Sequence, residues 1–484
     1  MTRLALLLGA ASLLAGCAGS LATDHPRSNL PHAPAATGRF QSAANGPFSP
    51  EPVPGAWWRL YRDDRLDALV TEALAANTDL RVAAANIERA RALLAETADA
   101  RRAQVSLSGG ASLSRPEGTG ADLPGQVGYD AGIGISYELD IVGRLRHLIE
   151  AAEADTEAAQ AAYDLTRITV AANVVGAYVD ACAAGEEKET AERSLALQEE
   201  SLALTRELFQ RGRGTALDIT RAETLVEQLR APIPAFEAAR QNALYRLAVL
   251  LGRPPAEFPK ELAECRTPPR LNSLLPVGDG AALIRRRPDI RAAERTLAAA
   301  GARVGVAVAD LYPRVQLGGS AGLTGLAADL GEGQAFRMSL GPLISWTFPN
   351  QAAARARIKA AEATEKAALA RFDGTVLTAL SEVEVALNTY ARELERHAAL
   401  EAARDRAATA ATQAEQLQRL GRGTSLSVLD AQRTLASAEA ALAASTAQLA
   451  SEQVALFLAL GGGWETGVQA QGQAQAQGAG QPGA

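Results

Sequence analysis

The stretch RGRGT at 211–215 and the stretch LGRGT at 420–424 stand 209 residues apart. Each continues with a leucine two residues on and then a β-branched residue. Glycine reaches backbone conformations closed to other residues, and a threonine can cap the helix that follows it. Each stretch therefore reads as a tight reversal ahead of a helix. The echo extends well beyond the turns. NTDLRVAAANIERA from 77 resembles RRPDIRAAERTLAA from 286, VSLSGGAS from 105 matches VQLGGSAG from 315, and GISYELDIVGRLR from 134 has a counterpart in LISWTFPNQAAARAR from 343. The chain reads as a tandem duplication with halves of about 200 residues.

Prolines divide each half. Seven lie between Pro26 and Pro54 and seven between Pro254 and Pro288, while 125–231 and 350–481 hold none. Proline inside a helix costs about 3 kcal/mol, so long proline-free tracts of Ala, Leu, Glu and Arg are helix candidates. The spacing predicts one helix over 66–102 or 281–310, then two strands, then a very long helix to the GRGT turn. A return helix follows over 217–251 or 426–460. Pro232 and Pro234 predict a kink in the first return helix, and the second has no equivalent. The helix over 143–210 would reach about 100 Å at 1.5 Å per residue. Two shorter helices end to end match it, so each half is a strip of constant width that can close into a cylinder. Leu195, Leu202 and Phe209 recur at sevens, and Leu197 with Leu204 makes a second, offset seam. Two seams let one helix pack on both sides, as a helical barrel requires; a plain antiparallel coiled coil needs only one.

The strands are expected near 103–113, 127–139, 313–323 and 335–346. Val105, Leu107, Ala111 and Leu113 alternate with Ser106, Ser108 and Gly110; Val127, Tyr129, Ala131, Ile133, Ile135 and Tyr137 alternate with Gly128, Asp130, Gly132 and Ser136. Runs of about ten alternating residues have the length of tilted membrane strands, though a soluble sandwich would share the pattern. Tyr137, Tyr312 and Trp346 sit near strand ends, as interfacial aromatics do. Four strands cannot close a barrel in lipid, where an open edge leaves N–H and C=O groups unpaired. A membrane reading therefore demands several copies around an axis: two supply eight strands and three supply twelve.

The N-terminus reads as a signal peptide over 1–16, with Arg3 ahead of a short apolar run. Leu14-Ala15-Gly16-Cys17 has the form of a lipobox, and an ordinary signal peptide with a chance cysteine is the plain alternative. Cys182 and Cys265 have no metal-like spacing, and two free thiols are favoured over a disulfide. Lys and Arg number 48 against 55 Asp and Glu, a net charge of −7, which argues against a nucleic-acid partner. No HExxH and no Ser/His/Asp grouping is present, so the expectation is no enzyme, no metal and no cofactor beyond a covalent lipid, palmitate-bearing, on Cys17. The Gln/Gly/Ala-rich stretch 462–484 is expected to be disordered.

Several stretches together resemble the outer-membrane efflux proteins of the TolC and OprM type, in particular the lipid-anchored NodT-like branch. They are WWRLYRDDRLDALVTEALAANTDLR from 57, YELDIVGRLR from 137, AVLLGRPP from 248, RRRPDIRAAE from 285, DLYPRVQLGG from 310, SWTFPNQ from 345, GRGTSLSVLDAQRTL from 421 and ALGGGW from 459. The resemblance implies a mainly α fold with a transmembrane β-barrel: a homotrimer with twelve strands in the outer membrane and a long periplasmic α-barrel. The domains would be 17–65 as anchored tail and equatorial segment, 66–251 as first repeat, 252–280 as equatorial linker and 281–461 as second repeat. The implied role is the exit duct of a tripartite efflux pump, working with a periplasmic adaptor (membrane fusion) protein and an inner-membrane pump of the resistance-nodulation-division (RND) class. A type I secretion duct or a pore-less lipid-anchored coiled-coil scaffold are the alternatives.

By the same resemblance both turns lie at the periplasmic tip. Arg211, Gly212, Arg213, Gly214 and Thr215, with Leu420, Gly421, Arg422, Gly423 and Thr424, would dock the adaptor. Positions matching Ser427 and Asp430 would face the pore constriction, and the position matching Asp218 would join a gate-locking ion pair. By the 209-residue offset Ser427 corresponds to Asp218, and Asp430 to Arg221. A trimer would then present one ring of three Asp430 carboxylates, attracting cations. Arg213, Arg221 and Arg422 are candidate bridge partners for Asp218 or Asp430. The plain alternative is helix-start charge, since the macrodipole favours Asp in a first turn whatever its use.

Overall fold

The computed structural model describes residues 26–114, 126–271, 274–327, 335–348 and 351–462. The signal segment, Cys17 of the lipobox and the tail beyond 462 lie outside the described residues. The first half runs α1 (Asp64–Ala76), α2 (Thr78–Asp99), β1 (Gln104–Ser114), β2 (Gln126–Leu139), α3 (Arg144–Gln210), α4 (Ala216–Arg230) and α5 (Ile233–Leu250). The second runs α6 (Gly280–Arg286), α7 (Pro288–Ala309), β3 (Arg314–Leu326), β4 (Phe336–Ser345), α8 (Ala352–Arg419) and α9 (Ser425–Ala459).

The single helices expected over 66–102 and 281–310 are each two helices. Asn77 breaks the first: its Oδ1 accepts from the backbone N–H of Asp79 at 2.9 Å and of Leu80 at 3.3 Å, starting α2 afresh. Pro288 breaks the second, because a residue before proline is pushed out of the helical region; Arg287 is extended, at φ −66° and ψ 123°. The first return helix breaks between Arg230 and Ile233, at Ala231-Pro232, whereas α9 is continuous.

Contacts divide the described residues into two compact units, one built around 85–160 and 291–374, the other around 29–84, 161–290 and the chain from 375. The first holds a four-stranded antiparallel sheet in the order β1-β2-β3-β4. Its register lines up Leu107, Ile133, Ala321 and Met338 in one row, and Val105, Ile135, Gly319 and Leu340 in another. Between them run Ser106, Gly134, Ser320 and Ser339, and beyond the Leu107 row come Ser108, Gly132, Gly322 and Arg337. Successive side chains point to opposite faces, so one face is apolar and the other small or polar. The apolar face is bare within the chain: Leu107 is 87% exposed, Leu340 85% and Met338 76%. A contiguous apolar surface of this kind needs a partner or lipid.

The motif YELDIVGRLR is the junction from strand to helix. Arg144 Nη2 meets Glu138 Oε1 at 2.8 Å and Oε2 at 2.9 Å. Asp140 accepts from the backbone N–H groups of Leu145 at 3.0 Å and Arg146 at 2.9 Å, satisfying donors that the first turn of α3 cannot pair itself.

In the helical unit Trp57 is fully buried and stacks on Phe457 with ring centroids 4.7 Å apart. Around them pack Val174, Val175 and Val179 of α3, Leu247 of α5, Leu387 of α8 and Leu456 of α9. Tyr178 donates to Asp63, the N-cap of α1, at 2.6 Å, tying α3 to the start of the first helix. Two equivalent joints hold the ends of the return helices. Asn77 Nδ2 donates to the Leu250 carbonyl at 3.0 Å, at the end of α5. Arg287 Nη1 donates to the Ala459 carbonyl at 2.7 Å, at the end of α9. Arg287 is only 8% exposed and is held by Asp289 at 2.6 Å and Glu382 at 2.7 Å. Burial works against its charge, yet these carboxylates raise its pKa above the ordinary value.

The proline-rich stretches lie against the same core. Phe48-Ser49 and Leu275-Pro276 pair as a two-residue parallel ladder. The expectation of two free thiols is overturned: Cys182 of α3 is bonded to Cys265. Spacing carried no sign of this, since 83 residues separate them. Gly185 permits the approach, because a Cβ there would stand 2.1 Å from the Cys265 carbonyl oxygen. Replacing Cys182 by Ala and Cys265 by Ser should lower stability by about 2–4 kcal/mol, as expected for a crosslink closing a long loop. Denaturation followed by circular dichroism checks this, and an unchanged midpoint would mean that the bond carries no stabilisation.

Candidate functional site

Both hairpin tips are built alike. α3 ends with Gly212 in the left-handed region at φ 72°. The Arg213 N–H bonds the Leu208 carbonyl at 2.8 Å, and the Gly212 N–H bonds that of Phe209 at 2.9 Å. α8 ends with Gly421 at φ 73°, Arg422 N–H bonding Leu417 at 2.8 Å and Gly421 N–H bonding Gln418 at 2.9 Å. This is the Schellman pairing, which satisfies carbonyls left over at a helix end. The second glycine of each turn serves close approach instead. A Cβ at Gly423 would lie 2.9 Å from the Gln418 backbone nitrogen, and one at Gly214 would lie 3.4 Å from that of Phe209.

The tips diverge where the return helices begin. Thr215 caps α4, and Asp218 completes a capping box. Asp218 N–H donates to Thr215 Oγ1 at 3.2 Å; the Thr215 N–H and hydroxyl donate to Asp218 Oδ2 at 3.0 and 2.7 Å. These two bonds hold the Asp218 carboxyl below its ordinary pKa, with a smaller pull from Arg221. Thr424 caps α9 by accepting from the Ser427 N–H at 3.2 Å, and the Ser427 hydroxyl donates to the Thr424 carbonyl at 2.7 Å. Ser427 thus keeps half of the box and carries no charge.

Asp430 is exposed one turn into α9, and within the chain no hydrogen bond or ion pair to its carboxylate is found among the described residues. Arg213, Arg221 and Arg422 likewise form no ion pair among the described residues, so the bridges expected from them to Asp218 or Asp430 are not made inside one protomer. Arg211 pairs with Glu207. The bridges that do tie α3 to α4 are Arg206–Glu223 at 2.7 Å and Arg230–Glu199 at 2.8 Å. These were not legible beforehand, because the pairing depends on the hairpin register. Beneath the charges lies a small apolar cluster of Leu202, Ala222, Leu225, Val226 and Leu429. The seam of Leu195 and Leu202 packs within the chain, whereas Leu197, Leu204 and Phe209 are exposed.

Tyr137, Tyr312 and Trp346 gather at the end of the sheet that joins the helices. Tyr137 pairs with Leu317 near the start of β3, which Tyr312 precedes, and Trp346 follows β4 directly. Trp346 Nε1 donates to the Leu311 carbonyl at 3.0 Å, and its ring stacks on Phe348. Among the described residues no group of His, Cys, Asp and Glu is placed to hold a metal ion.

The family model described as "Outer membrane efflux protein" matches this chain twice, over 69–253 and 281–462. Nodulation protein T of Rhizobium leguminosarum bv. viciae is 30% identical over 466 residues, covering 93% of this chain and 92% of that protein. The probable efflux pump outer membrane protein TtgC of Pseudomonas putida is 32% identical over 473 residues, covering 94% of each. Among solved structures, the outer-membrane channel OprN superposes with a TM-score of 0.84 at 36% identity, over 91% of this chain and 99% of that one. VceC of Vibrio cholerae superposes with a TM-score of 0.77 at 25% identity, over 85% and 99%.

The tips generate two predictions. Gly212→Ala and Gly421→Ala should each destabilise by about 1 kcal/mol, since alanine gains strain at positive φ; thermal melts check this. Asp218→Ala should cost about 1 kcal/mol at pH 7. The folded carboxyl is depressed, so its stabilisation is present above the unfolded value near pH 4 and is lost as pH falls through the folded pKa. The gap between wild type and Asp218→Ala should therefore shrink on acidification to about pH 3, and a gap independent of pH would contradict the capping box.

Proposed function

The chain belongs to the outer membrane efflux protein family, and on that premise we propose that it is the exit duct of a tripartite pump, assembled as a homotrimer. It resides in the outer membrane with a periplasmic extension, and it conducts drugs or other small solutes passively to the exterior. The observation that carries this reading is the four-stranded sheet with one bare apolar face and one face of Ser, Gly, Asp and Arg. An apolar face suits hydrocarbon and a polar face suits a water-filled lumen. Three copies supply twelve strands, and the exposed seam of Leu197 and Leu204, with the exposed Phe209 near the tip, supplies a second packing surface for a neighbouring helical hairpin.

Each part of the chain then has a task. Cys17, outside the described residues, carries the lipid that holds the N-terminus at the membrane. Tyr137, Tyr312 and Trp346 sit at the lipid–water interface on the periplasmic side, where amphipathic rings are favoured. The two GRGT tips face the periplasmic adaptor and, through it, the inner-membrane RND pump. Arg213 and Arg422 are free in the protomer to meet carboxylates there. Asp430 forms the constriction ring, with Ser427 beside it contributing no charge. Asp218 is held in its own capping box, and Arg221 is left to pair across a protomer boundary at the gate. Like charges around a narrow axis attract cations and exclude anions.

Asp430→Ala should raise single-channel conductance and weaken cation preference in planar bilayers. Unchanged conductance and selectivity would remove Asp430 from the gate. Cys17→Ser should abolish incorporation of labelled palmitate, and continued labelling would place the lipid elsewhere.

A further inference from the structure

A cavity of about 50 Å³ lies where the α3/α4 hairpin meets the α8/α9 hairpin. Five polar side chains line it: Ser194 and Gln198 from α3, Glu415 from α8, Gln432 and Glu439 from α9. Two contacts cross it. Ser194 Oγ donates to Glu439 Oε2 at 2.9 Å, and Gln432 Nε2 donates to Glu415 Oε1 at 3.0 Å. Two buried atoms have no hydrogen-bond partner among the described residues: Gln198 Nε2, on a side chain 2% exposed, and Gln432 Oε1. The first is a donor and the second an acceptor.

A buried amide group without a partner is costly, and native proteins rarely leave one so. The chemistry of the two groups selects the ligand. Gln198 Nε2 needs an acceptor, which a bare cation cannot be. Gln432 Oε1 needs a donor, which an anion cannot be, and the two neighbouring carboxylates disfavour an anion further. Water is both donor and acceptor. It needs a polar space of about 10–15 Å³ and two to four partners, and the cavity supplies both. We infer that this cavity is a binding site for an ordered water, which accepts from Gln198 Nε2, donates to Gln432 Oε1 and has its second O–H left for the carboxylate of Glu415 or Glu439. The other residues that line the cavity are Ala and Leu, so the site is a polar layer among apolar side chains. Such layers fix the register of neighbouring helices and give up some stability in doing so. The bound water therefore pins one hairpin to the other through bonds that can break and reform without opening an apolar core. Its bearing on opening of the duct rests on the channel reading above; its existence does not.

Two measurements on the full-length protein decide the matter. A high-resolution crystal structure should show a water within about 2.7–3.2 Å of both Gln198 Nε2 and Gln432 Oε1. Direct contact between the two amides, or a side chain filling the cavity, would overturn the site. The triple variant Gln198→Leu/Gln432→Leu/Glu415→Leu removes both unpaired groups together with the carboxylate that Gln432 holds. Its melting temperature should stay level or rise by a few degrees, while the frequency of channel opening in bilayers falls at least fivefold. A lowered melting temperature with wild-type opening would overturn the register role. If the wild-type protein itself conducts nothing, the duct reading fails, and the water density alone decides the site.

Discussion

A strand edge in hydrocarbon has no water to bond, so each of its N–H and C=O groups must find protein. The sheet of this chain leaves two outer strands unpaired on one side, β1 and β4, and an exposed apolar face. Because the four strands alternate in direction, β4 of one copy can pair antiparallel with β1 of the next, and the ring closes without a change of pattern. The helices rise from the sheet at fixed junctions, such as Glu138 with Arg144 and Asp140 with the first turn of α3. A charge pair that is 17% exposed on each side holds the direction in which strand becomes helix.

The same economy governs the helix ends. A chain that runs the length of α3 and α8 and returns must stop four helices cleanly, and all four stops use a left-handed glycine: Gly212, Gly252, Gly421 and Gly461. At the tips no described atom lies within 4 Å of where a Cβ at Gly212 or Gly421 would stand. At the inner ends the glycines are crowded, Gly252 by the Ala76 carbonyl and Gly461 by Arg287, because there the turn is buried against the next helix break. One backbone device thus makes an exposed turn at one end of each hairpin and a packed joint at the other.

Much of this was legible in the sequence, and what was missed has physical reasons. The strands announced themselves by alternation and the long helices by the lack of proline, both properties of consecutive residues. The break at Asn77 was hidden inside an unbroken Ala/Leu pattern, although Asn followed by Thr-Asp is an N-cap signature. Of the three arginines 285–287, only packing decides that Arg287 is the one buried against Ala459. The Cys182–Cys265 bond joins residues whose proximity depends on how the equatorial stretch folds back. Asp218 could have been read as a capping residue, since Thr-x-x-Asp precedes an apolar run there. Within the chain that carboxylate accepts from Thr215 at the start of its own helix. Asp430 has no such local use among the described residues.

The central claim is closure of three open sheets into one barrel, and pairing of β4 with a neighbour's β1 tests it most directly. Single cysteines placed at facing positions on β1 and β4, scanned along the ladder and oxidised in intact outer membranes, should give one register in which three chains become covalently linked as a closed trimer. Chains that remain monomeric at every register, or that link into open ladders longer than three, would contradict it.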